Sequence, residues 1–188
     1  MFVVMSLLMG LLAAGQAQTL NAVGPCAHDP HVRPLEKDAD RLVAKGLEKS
    51  PTFKRLVSRL GQSDVIVYVR FGWDLPLHIG GRLRFLAAHG ESRYLVVDLN
   101  RTLAPSALVA LLGHELQHAV EVAEARDVTS SEDLRMLYRR VGIQMGPDRY
   151  DSIAARRTGY DVLREESTNG RHSTREASAM GSLTEIAE

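Results

Sequence analysis

The sequence predicts an α+β domain: a small sheet of three strands or more, mainly antiparallel, packed against one long helix, with further helices on either side of it in the chain. Three observations carry that expectation. Apolar residues recur at helical spacing before residue 61 and again after residue 105. Between them, from Val65 to Leu99, lie β-branched and alternating runs of strand length. After Pro105 an apolar stretch runs to about Ala125, too long for a strand and opened by a proline in the position a first helical turn favours.

The counts narrow the class. A chain of 188 residues, 45% hydrophobic, has material for one domain with a core. It carries 23 basic and 23 acidic side chains, and no basic patch stands out along it, which speaks against nucleic acid as a partner. With one cysteine, Cys26, neither an internal disulfide framework nor a Cys-rich zinc site is available, so histidine and carboxylate are the side chains left to ligate a metal.

The N-terminus has the shape of an export signal. No Lys, Arg, Asp or Glu precedes Asp29, the run from Met1 to Ala14 is almost wholly apolar, and Gly15 and Ala17 are small residues of the kind a signal peptidase accepts. The run is shorter than the roughly 20 residues a bilayer span needs. The expectation is a signal peptide over residues 1–17, export to a periplasmic or extracellular compartment, and no stable membrane span after cleavage. An uncleaved N-terminal anchor is the alternative, because the basic residues that usually open a signal are missing.

The body of the domain is then read over residues 18–166. Leu35, Leu42, Val43 and Leu47 mark one amphipathic helix, and Phe53, Leu56, Val57 and Leu60, after Ser50-Pro51, mark a second. Val65 to Val69 reads as a strand. Leu83 and Phe85 alternate with arginines, and Leu95, Val97 and Leu99 alternate after the His89-Gly90 turn, which predicts an antiparallel pair. Thr129-Ser130-Ser131-Glu132 resembles a capping box for a helix through Val141, and Asp148 is a candidate cap for another through Arg164. From Ser167 the chain becomes small and polar, and residues 167–188 are expected to form a poorly ordered tail.

The chemistry is concentrated in the long helix, which contains H-E-x-x-H at His114, Glu115 and His118. A helix turns about 100° per residue, so the two histidines share a face one turn apart and can share one ion. Glu115, a quarter turn away, stands outside that pair yet near a metal-bound water, where a carboxylate can act as base. Val109, Leu112, Leu116, Val120 and Ala123 line the opposite side and anchor the helix in the core. Glu121 shares the histidine face, but about 10 Å of helix rise from His114 strains joint ligation. A hydrogen bond to a ligand imidazole suits it better. The His28/His31 pair could take a metal adventitiously, and His172 in the polar tail has no expected role.

These residues resemble the zincin metallopeptidases, and the run His-Glu-Leu-Gln-His-Ala-Val-Glu over residues 114–121 also looks like a family of uncharacterised exported bacterial proteins. In zincins a small sheet precedes the metal helix, as the strands between Val65 and Leu99 do here. The resemblance implies one Zn2+ per chain, bound by His114 and His118, with Glu115 activating water for cleavage of a peptide or protein substrate. The metzincin branch fits poorly, because Glu121 and Glu124 stand where it has Gly and His. The gluzincin branch takes an acidic ligand from a later helix, and Asp151-Ser152-Ile153-Ala154 offers Asp151; Glu121 stays open as the alternative ligand, and Glu124, Glu165 and Glu166 are weaker ones. The same branch commonly adds an oxyanion-steadying side chain, for which Tyr138, Arg139, Tyr150 and Tyr160 are candidates. It also implies an extended substrate along a sheet edge, either Tyr94–Leu99 or Leu83–Ala87. Two other classes remain open: an exported metal-binding or scaffolding protein without turnover, and an exported interaction domain without metal.

Overall fold

The computed structural model describes residues 29–72, 75–76, 79–146 and 149–183, with side chains described through residue 168 of the last helix. The stretch read as a signal, Cys26, His28 and Asp148 lie outside those residues, as does the His172 side chain. In chain order the described elements are β1 (Val32–Pro34), α1 (Lys37–Lys49), α2 (Pro51–Gly61), β2 (Val65–Phe71), β3 (Gly81–His89), β4 (Ser92–Leu99), α3 (Pro105–Glu124), α4 (Ser131–Val141), β5 (Ile143–Gly146), β6 (Arg149–Asp151) and α5 (Ile153–Leu183).

The chain is α+β as expected, but its sheet is mixed. Four strands run in the order β1-β2-β4-β3. β1 and β4 both pair parallel to β2, and only β3 with β4 is antiparallel. The expectation of a mainly antiparallel sheet therefore fails at β2. Its run Val65-Ile66-Val67-Tyr68-Val69 is nearly continuous in apolar residues, the mark of a strand flanked on both sides rather than of a hairpin arm. β1, three residues long, gives too short a pattern to recognise. A separate hairpin, β5–β6, occupies residues expected to be loop and the start of a helix.

The helical expectations hold closely for α1 to α4. Ser50 caps α2 by accepting from the Phe53 N–H at 3.0 Å, with Pro51 in the first turn. The capping box of α4 lies one residue later than expected. Ser130 accepts from the Asp133 N–H at 3.1 Å, and the Asp133 carboxylate accepts from the Thr129 N–H at 3.0 Å. The last helix starts at Ile153 with Ser152 as its cap, and its backbone stays helical to Leu183, where the sequence had suggested an irregular tail. No proline interrupts that stretch, and Arg175-Glu176-Ala177 and Ala179-Met180 are helix formers. Among the described residues no helix is long and apolar enough to cross a membrane.

α3 is the centre of the packing. Val109, Leu112 and Leu116 are fully buried, Val120 nearly so, and they share a core with Val65, Val67 and Val69 of β2, Leu95, Val97 and Leu99 of β4, and Phe53 and Leu60 of α2. The C-terminal end of α3 holds no basic residue of its own, so its last carbonyls take their cation from the sheet. Arg93 of β4, 4% exposed, donates through Nη1 to the carbonyls of Val122 at 2.9 Å and Ala125 at 2.7 Å, and pairs through Nε and Nη2 with Asp64. That clamp fixes the register of the helix against the sheet.

On its other side α3 lies against α5. A Cβ on Gly113 would come within 2.8 Å of Val162 Cγ2, so the two helices meet at a distance that only glycine allows here. Gly113→Val should lower stability by roughly 1–3 kcal/mol, because α5 must move or Val162 must leave its rotamer. Chemical denaturation measures this, and a variant as stable as the parent would show that α5 yields freely at this point.

Candidate metal centre

α3 presents His114 and His118 one turn apart, with ring centroids 4.8 Å apart and planes at 81°. β6 ends at Asp151, whose carboxylate reaches between them. Its Oδ1 lies 3.2 Å from His114 Nε2 and 3.3 Å from His118 Nε2. One ligand atom from each of the three residues falls within a sphere of contacts no longer than 4.8 Å. Neither approach of Oδ1 has hydrogen-bond alignment, and that buried oxygen has no hydrogen-bond partner. Leaving such an oxygen unmet costs about 1–3 kcal/mol or more, unless something else occupies the point on which the three atoms converge. Two imidazole nitrogens and one carboxylate oxygen are a donor set that suits zinc, with a fourth position left open.

A further layer of contacts orients this trio. His118 Nδ1 lies 2.9 Å from Glu121 Oε2, and the Ser152 hydroxyl donates to Glu121 Oε1. Ser152 also accepts from the Ala155 N–H at 2.9 Å, so the residue next to Asp151 both starts α5 and steadies Glu121. The Tyr138 hydroxyl donates to the His118 carbonyl at 3.2 Å, and its ring stands edge-on to the imidazole, centroids 4.9 Å apart. With Nδ1 directed at a carboxylate, the His118 ring turns Nε2 toward Asp151.

Glu115 sits apart from the three and is 4% exposed. Its carboxylate accepts from the Leu83 N–H of β3. A Cβ on Gly81 would lie 3.1 Å from Oε1, so the glycine leaves room for the carboxylate beside the strand. Because the Leu83 N–H leaves the sheet, residues 81, 83 and 85 turn their backbone polar groups to the free edge of β3. The Phe85 carbonyl uses this by accepting from Ser131 at 3.5 Å. β4, by contrast, is paired on both sides, so of the two strands expected to meet a substrate only Leu83–Ala87 lies at an edge and Tyr94–Leu99 does not.

Burial pushes the Glu115 carboxyl up to about 7; the His118 charge opposes this, and the negative Asp151 and Asp98 add to it. For His118, burial disfavours the imidazolium, but the carboxylates of Asp151 and Glu121 outweigh it and raise the group to about 9. His114 is lowered, by burial and then by His118.

The centre opens on a cleft of about 630 Å³ bounded by β3, α3, α4 and the β5–β6 hairpin, with Leu83, Phe85, Leu134 and Tyr150 on its walls. Among the oxyanion candidates, Tyr138 and Tyr150 line this cleft, Tyr160 borders a separate groove and is 68% exposed, and Arg139 is on neither lining. The other acids are engaged elsewhere: Glu124 pairs with Arg59, Glu165 accepts from Thr52 N–H and Ser50 at the start of α2, and Glu166 pairs with Lys45. His31 Nδ1 lies 3.0 Å from the Val65 carbonyl, in the sheet. Sequence reasoning missed Ser152; a serine just before a run of helix formers is a cap signal that could have located both it and the true start of α5. It also missed Gly81 and Leu83 as neighbours of Glu115, for which no local signal exists. No family model, no curated protein and no solved structure matches the chain.

Both raised groups predict a pH dependence for the metal-free protein. Their folded values exceed the ordinary 4.5 for Glu115 and 6.5 for His118, so their stabilisation is complete below those values and is lost as pH rises through about 7 and about 9 respectively. Thermal unfolding with chelator present should show a midpoint that falls from about pH 6 to pH 9, and His118→Ala should remove the upper part of that fall. A midpoint that rises over the same range would contradict the assignment.

Proposed function

We propose that the chain is a zinc-dependent peptide hydrolase of zincin-like architecture, exported by its apolar N-terminal segment. The observation that carries this reading is the buried Oδ1 of Asp151, held between two imidazole Nε2 atoms on an H-E-x-x-H helix without an aligned hydrogen bond to either. An antiparallel edge strand beside that helix, with its backbone groups turned toward the cleft, supports a peptide as substrate.

In this reading His114, His118 and Asp151 hold the ion, and Glu121 accepts the Nδ1 proton of His118, fixing the tautomer that ligates. When bound, zinc supplies a water of lowered pKa and a Lewis acid for the substrate carbonyl. Glu115 would be placed to hold a proton from water and pass it to a leaving amine, and burial raises its carboxyl to about 7 before any cation is bound. A divalent cation nearby favours its ionised form, which readies it as the base. The outward groups of β3 other than the Leu83 N–H and the Phe85 carbonyl would align an extended substrate, and Leu83 and Phe85 give the cleft an apolar wall.

After chelation and return of equimolar zinc, the purified protein should retain about one zinc per chain, and Asp151→Ala or His118→Ala far less. Glu121→Gln should weaken zinc binding by about 10–100-fold. Glu115→Gln should keep its zinc while losing about 10²–10⁴-fold in peptide hydrolysis. Trace zinc in parent and variants alike would end the metal reading. Zinc retained with no turnover in the parent against a broad peptide library would leave a metal-binding or scaffolding protein instead.

A further inference from the structure

We propose that the cleft selects peptide segments bearing acidic side chains, with Arg149 and Arg84 setting that preference; this rests on the peptide-hydrolase reading and names the substrate class of the same site. The charge of the chain sums to zero, with 23 basic and 23 acidic side chains, yet it is not evenly spread around the centre. Among the described residues lining the cleft, the only carboxylates are Glu115 and Asp151, which belong to the centre itself, while Arg82, Arg84, Arg135 and Arg149 stand along the walls. Arg135 is paired with Glu132 on its own helix, so among the described residues the charge of the walls rests on the arginines of β3 and β6.

Arg149 is exposed on β6, two residues before Asp151, and no hydrogen bond or ion pair holds its guanidinium among the described residues. A cation two positions from Asp151 with no partner among the described residues is available to an incoming carboxylate. Arg84 lies on the edge strand that borders the cleft, its side chain on the face opposite Leu83 and Phe85, 2.7 Å from Asp98, a carboxylate that is fully buried and shared with Arg70 and Arg82.

Strand geometry turns these two positions into a specificity rule. Side chains of an extended peptide along β3 alternate between the two faces of the sheet. Those on the cleft face lie opposite the hairpin that carries Arg149. Those on the other face lie beside Arg82 and Arg84, which alternate with Leu83 and Phe85 along the strand. An Asp or Glu on either face meets a guanidinium, whereas a Lys or Arg meets like charge and is disfavoured. The preference is strong at low ionic strength and weakens as salt screens it.

The test reads binding rather than turnover. Two fluorescein-labelled peptides, identical except for Glu or Lys at three alternate positions, are titrated with the zinc-loaded Glu115→Gln protein and followed by anisotropy. The Glu peptide is expected to bind about tenfold more tightly than the Lys peptide at low salt. Arg149→Glu is expected to weaken the Glu peptide roughly fivefold and to strengthen the Lys peptide, and Arg84→Gln to weaken the Glu peptide about threefold. Equal affinity for the two peptides overturns the inference. So does an acidic preference that survives both substitutions, since the peptide carboxylates would then be captured by zinc alone. If the parent hydrolyses neither peptide but Arg149→Glu still reverses the order of binding, the hydrolase reading fails and the charge selection stands.

Discussion

Burial of α3 on nearly every side is the constraint from which the rest of the site follows. A helix enclosed by the sheet, α2 and α5 takes several polar side chains out of water, and each buried one must find a protein partner or cost the fold dearly. Glu115 finds the Leu83 N–H, and His118 finds Glu121 through Nδ1. Glu121 in turn is met by the Ser152 hydroxyl. One atom in this network, Asp151 Oδ1, is left without a partner while two imidazole nitrogens approach it. A network satisfied everywhere except at one convergent point is what a resident cation would explain.

The position of that point is set from both ends of the helix. Arg93 ties the C-terminal carbonyls of α3 to β4 and, through Asp64, to the start of β2. Gly113 lets α5 approach α3 beside His114, and α5 is anchored by Glu165 and Glu166 to α2 and α1. Asp151 stands one residue before the α5 cap, so the closeness of α5 to α3 decides how near the carboxylate comes to the histidines. Rigid packing far from the centre thus fixes ligand distances within it.

The same burial separates the roles of the acids. Glu115, enclosed and near other negative charges, is held near neutrality, while Glu121 and Asp151 stay below the usual carboxylate range because the imidazoles outweigh their burial. Three carboxylates around the histidine pair are thereby divided into one whose charge burial opposes and two held as anions. Division of that kind is how one site performs base and acid steps at a single pH.

Much of this was legible in the sequence, because it depends on spacing within one element. The i, i+4 histidines, the rotated Glu115, the anchoring stripe from Val109 to Val120 and the caps of α2 and α4 follow from helical periodicity and local hydrogen bonding, which a sequence writes out directly. The order of the sheet did not follow, since β2 pairs with β4 rather than with its neighbour β3, and only non-local packing chooses between them. Nor did the partnering of residues distant in the chain: that Asp151 rather than Glu121 meets both Nε2 atoms, that Ser152 reaches Glu121, and that Leu83 and Gly81 border Glu115. Local chemistry determined which residues could form a centre; the close approach of α5 and the β5–β6 hairpin to a buried α3 decided which of them do, because convergence of three side chains is a property of packing and not of spacing.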